Sequence, residues 1–165
     1  MVVLARHQSR GPIGFIEKRL ESGLGLEINR EKTRVVDLKE QGASLDFLGY
    51  TFRYDRDLQG RDRKYLNMFP SEKALKRERA KLHDMTASRH CFKPIPQLIG
   101  EMNRHLKGWA NYFSIGYPRV ALREINTYVR DRLMQHLRRR SQRPFRPPEG
   151  VSMYEHLKKF GLLYL

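Results

Sequence analysis

The chain has 165 residues, a mean hydropathy of −0.70, and 33 lysines and arginines against 18 acidic residues, for a formal net charge of +15. That length suits one domain with a core or two small subdomains, and the charge points first to a polyanionic partner. The single cysteine, Cys91, excludes an intrachain disulfide, and no run of about 18 apolar residues is present to cross a bilayer.

The charge is concentrated. Residues 1–70 hold 13 basic and 10 acidic residues, residues 71–146 hold 18 and 6, and residues 147–165 are neutral. The middle-to-late segment is therefore the expected polyanion-binding surface. The first residues do not form a secretion signal, and the expected setting is a reducing cytoplasm, bacterial or organellar, with no membrane partner.

In chain order, "MVVLARH" reads as a short buried strand. "GPIGFIEKRLESGLG" follows with Ile13, Ile16, Leu20 and Leu24 at helical spacing, Pro12 in the first turn, and Gly23 and Gly25 as a stop. A turn around Asn29 leads to an expected strand at residues 34–38. Leu48, Tyr50, Phe52 and Tyr54 then alternate along a strand, and a polar turn containing Gly60 separates it from a second at residues 64–69, predicting a β-hairpin.

From Ser71 the pattern is helical. Ser71 suits an N-cap, and Leu75, Leu82 and Met85 share one side of the helix it opens. A second helix from about Pro96 carries Leu98, Ile99, Met102, Leu106, Trp109 and Phe113 at intervals of three and four. That stripe places Trp109 in the core, with Gly108 expected to admit a neighbouring helix. A third helix from about Pro118 carries Leu122, Ile125, Val129, Leu133 and Leu137. The prolines of "SQRPFRPPEG" break the pattern, and Ser152 and Glu155 stand at capping-box spacing before a short last helix that stops at Gly161. The expected class is α+β: residues 1–70 with a small hairpin and one helix, residues 71–143 a three-helix region, and residues 144–165 a Pro-rich linker and short helix.

Three blocks in order resemble the C-terminal part of group II intron reverse transcriptase/maturases: "GLGLEINREKTRVV", "LDFLGYTFR" and "IGEMNRHLKGWANYFSIGYPRVALREINTYVRDRLMQHLRRR". The resemblance implies the end of a palm followed by a maturase-specific thumb. It implies group II intron RNA as partner, with help to intron folding and splicing, and template–primer binding during RNA-directed DNA synthesis in an intact protein. It also implies that fingers and most of the palm are missing, making the chain a fragment or a truncated reading frame. No Asp-Asp pair occurs in the sequence. Two-metal nucleotidyl transfer needs clustered carboxylates, so Mg²⁺ is expected only for an intact polymerase, no cofactor is expected here, and the chain alone is expected not to polymerise DNA.

The resemblance further implies that Lys32 assists the leaving group in the intact protein, and that Phe47, Leu48, Gly49 and Tyr50 form a primer-grip-like turn. Candidate RNA contacts are Lys73, Lys76, Arg77, Arg104, Lys107, Arg119, Arg123, Arg130, Arg138, Arg139 and Arg140, because guanidinium forks match phosphate oxygens and several on one rod can follow a backbone. Arg119, Arg123 and Arg130 share one side of their helix, with Arg132 and Arg143 extending the positive end. Asp46, Asp55, Asp57 and Asp62 read as solvated charge beside the hairpin, and the histidines and Cys91 lack zinc-ligand spacing. The alternative is a basic helical DNA-binding module unrelated to reverse transcriptases.

Overall fold

The computed structural model describes residues 10–57, 63–143 and 145–165. The strand expected in the first seven residues, Gly60 and Asp62 lie outside these. The class is α+β: a small antiparallel sheet followed by a mainly helical region.

The first helix, α1 (Arg10–Lys18), runs into a π-helical turn at Arg19–Gly23, and Gly25 takes φ +62° where the chain leaves it. Residues 34–38 form no strand, contrary to expectation. Val35 and Val36 are exposed, and no neighbouring strand among the described residues takes up their backbone groups.

The sheet has three strands, not the expected two. β1 (Ser44–Phe47), β2 (Tyr50–Arg56) and β3 (Lys64–Pro70) lie in that order, with Phe47 opposite Tyr50 and Tyr50 opposite Pro70. What reads as one strand through Leu48 is a tight hairpin. Leu48 has φ +48° and Gly49 φ +82°, the double positive pair of a two-residue primed turn whose twist suits the flanking strands.

Among the described residues four α-helices and one 3-10 turn at Ser88–His90 follow: α2 (Glu72–Met85), α3 (Ile95–Tyr112), α4 (Arg119–Arg139) and α5 (Met153–Lys159). Ser71 accepts from the Ala74 amide and caps α2. Ser152 and Glu155 cap α5 reciprocally. The core joins Leu82 of α2, Leu98, Ile99, Met102 and Leu106 of α3, Ile125, Val129, Leu133 and Leu137 of α4, and Leu157 and Leu162 of the tail. Trp109 packs against this cluster, as its spacing predicts. Gly108, by contrast, is exposed, and a methyl there would meet nothing within 4 Å, so no helix approaches it.

The tail is held by two asparagines. Asn103 donates to the Gly161 carbonyl at 2.7 Å and accepts from the Leu163 amide at 2.9 Å; Asn126 donates to the Leu165 carbonyl at 2.8 Å and accepts from its amide at 3.0 Å.

Candidate nucleic-acid interface

The sheet meets the helices through aromatic residues near the end of α3. Tyr50 is buried, with its ring 4.9 Å from that of Phe113, which lies 4.7 Å from Trp109 and 4.8 Å from Tyr112. The Tyr50 hydroxyl donates to the Tyr112 carbonyl, and burial, then the neighbouring Tyr112, pushes its pKa up. The Tyr112 hydroxyl donates back to the Leu48 carbonyl at 2.8 Å, and the Ser71 amide donates to the Gly49 carbonyl at 2.7 Å. The turn in "FLGY" is thus bolted to α3 and to the start of α2. Its apolar tip faces out: Leu48 is 67% exposed and Phe47 37%.

A second junction follows α3. The Tyr117 amide donates to the Met68 carbonyl at 2.8 Å, fastening the α3–α4 loop to β3. Gly116, at φ +87°, passes so close that an added Cβ would lie 2.2 Å from that carbonyl oxygen. Only glycine meets both demands.

The basic residues form two strips. Lys73, Lys76, Arg77 and Lys81 are exposed on α2, away from its buried Glu78 and Leu82. Arg119 and Arg123 are exposed and Arg130 is half-buried on α4. Between the strips lie Glu124 and Asp131, seven residues apart and so on one side of α4. Glu124 pairs with Arg79 across the α2–α4 seam, and Asp131 pairs with Arg130 at 3.2 Å. The α2 and α4 cations therefore flank an acidic seam and do not merge into one stripe.

Arg104 and Lys107 are exposed on α3. Arg138 and Arg139 are exposed at the C-terminal end of α4, where they also complement the helix dipole. Among the described residues Lys73, Lys76, Arg77, Lys81, Arg104, Lys107, Arg119, Arg123, Arg138 and Arg139 make no ion pair. Their charge is available to a polyanion.

Two arginines have other work. Arg140 donates to the Lys93 carbonyl. Arg132, expected to extend the positive end, is buried: its Nε donates to Thr86 Oγ1 at 3.0 Å and its Nη1 to Gln135 Oε1 at 2.7 Å. His136 beside it is also buried, with Nδ1 3.1 Å from the Thr86 carbonyl, and desolvation holds its pKa below the usual value. Sequence reading missed a buried acid as well. Glu78 faces His105 on α3, whose Nε2 lies 2.9 Å from its carboxylate.

Lys32 is exposed in a turn whose amide donates to Asn29 Oδ1 at 3.0 Å, and its ammonium makes no ion pair or hydrogen bond among the described residues. The sheet aspartates do not fit a magnesium centre. Asp46 accepts from the Thr51 hydroxyl, Asp55 is held by Arg53 and Asn67, and no group of three or more His, Cys, Asp or Glu among the described residues is placed to hold a metal.

The strips lie on helices with a recognisable pattern. Residues 75–148 match the family model of the group II intron, maturase-specific domain. This stretch contains α3, α4 and most of α2, and with them nine of the ten unpaired cations named above, all but Lys73. No curated protein matches the chain. No described helix is long and apolar enough to cross a membrane.

Proposed function

We propose that the chain binds group II intron RNA through its maturase-like helices and stabilises the folded RNA for splicing. The observation that carries this is the coincidence of the maturase-specific match over residues 75–148 with unpaired lysines and arginines on the same helices. Phosphate contacts from Arg119, Arg123, Arg138, Arg139, Arg104, Lys107 and the α2 strip supply affinity, while sequence is read by RNA shape. Arg130 joins them by exchanging Asp131 for a phosphate. In an intact reverse transcriptase the exposed tip of "FLGY" would meet the primer and the same helices the template–primer duplex. Lys32 would act there on the leaving group, and Mg²⁺ belongs only to that intact polymerase. The setting is the cytoplasm or an organelle.

The test is a filter-binding titration of group II intron RNA, with duplex DNA as competitor at matched salt. The triple variant Arg119→Ala, Arg123→Ala, Arg130→Ala should lose affinity and flatten the salt dependence by about one unit of slope per lost contact. Unchanged affinity removes the α4 strip from the interface. Preference for duplex DNA favours a general basic DNA-binding module and overturns the reading.

A further inference from the structure

An open cleft of about 380 Å³ lies beside the α3–α4 loop, lined by Tyr117, Pro118, Arg119, Leu122, Arg123 and Leu165. Its size falls in the range of about 300–1,000 Å³ common to small-ligand sites. Its lining is mixed: a tyrosine, a proline and two leucines, with two arginines among them.

The ring is held in place before any ligand arrives. Tyr117 is tied by its amide to Met68, and Gly116 admits the closest approach of the loop to β3. Tyr65 meets the Tyr117 ring edge-on at 5.2 Å, yet the residue remains 59% exposed. A fixed, half-covered ring offers a stacking face at little entropic cost. The two arginines are also free. Neither makes an ion pair among the described residues, and the Leu165 main-chain oxygen accepts from Asn126 rather than from either of them. Ile115 and Val120 are exposed on the same loop and first turn, 64% and 76%, so the cleft sits in an apolar patch bordered by positive charge.

An apolar patch alone does not choose its occupant. A flat ring with two unpaired arginines at hand does, because a nucleotide is the ligand that joins a π-face to an anion. A base paired inside an A-form helix cannot present that face. We infer that this cleft takes one unpaired nucleotide of an RNA strand, its base against Tyr117 and its phosphate on Arg119 and Arg123. This rests on the RNA-binding reading and adds a site selective for unpaired bases to it.

The experiment uses the full chain and two RNA probes of equal length: one with a single unpaired 2-aminopurine in a bulge, and a fully paired duplex. Affinity for each and 2-aminopurine fluorescence are measured for wild type, Tyr117→Phe, Tyr117→Leu and Tyr117→Ala. The leucine variant retains packing on Tyr65 without a π-face, guarding against simple misfolding. The expected result is that Tyr117→Leu and Tyr117→Ala bind the bulged probe about tenfold more weakly and lose the fluorescence quench, with duplex binding unchanged and Tyr117→Phe intact. Equal affinity in all variants, or equal losses on both probes, overturns the cleft assignment while leaving RNA binding in place. A wild type that binds neither probe overturns both.

Discussion

Residues 10–43 and residues 71–165 carry the same sequence signal, apolar side chains three and four apart, but reach opposite outcomes. In the later region α2, α3, α4 and the tail bury their apolar residues against one another in one core. In the earlier region no described side chain is buried, and Phe15, Leu24, Leu26, Val35 and Val36 stand in solvent. Periodicity shows which face of an element wants burial; it does not supply the surface that covers it. The later region has its stability built in, and the earlier region holds little that a mutation could remove.

The sharpest test of that contrast is a pair of truncations. Leu157→Ala, at a fully buried site in the tail, should cost about 2–5 kcal/mol in urea unfolding, whereas Phe15→Ala should change the same transition by less than about 0.5 kcal/mol. Comparable losses at the two sites would abolish the distinction. Next in size is Gly116→Ala, where the Cβ clash with Met68 and the positive φ act together. A loss of about 2–3 kcal/mol is expected, with the β3–loop contact opened.

A third test uses pH. Burial keeps His136 neutral in the folded chain, with its pKa below the ordinary 6.5. Below about pH 6.5 the unfolded chain takes up a proton that the folded chain resists, so stability present above that pH is lost as pH falls towards the folded pKa. Thermal melts from pH 7.5 to 5 should show this decline, and His136→Gln should remove its share of it. The smallest effect is expected in the sheet. Leu48 holds a left-handed conformation that asparagine tolerates better, so Leu48→Asn should stabilise the chain by about 1 kcal/mol in the same urea assay.

The helices are legible because α3 and α4 carry long apolar stripes and α2 and α5 open on serine caps. Ser71, Ser152 with Glu155, and the run from Leu98 to Phe113 all appear where the pattern puts them. The strand at residues 34–38 was not legible as absent, since a strand exists only with a neighbour. The turn at Leu48 was hidden because leucine is an unusual occupant of positive φ and lacks the Asn-Gly signature. Arg132 reads as surface charge, yet it and His136 turn inward to Thr86, a partner 46 and 50 residues away in sequence. The cleft at Tyr117 left only a faint trace, a glycine followed by an aromatic residue, proline and arginine.

The two asparagines that hold the tail act as splints, replacing the backbone partner that a strand would need. Each grips both a donor and an acceptor, and the two grips stand a few residues apart, so they fix registration as well as position. Chain length should therefore be tolerated unequally. One residue added to the stretch between α4 and α5 can be absorbed as slack, while one residue added between Leu163 and Leu165 would throw the last grip out of step with the first.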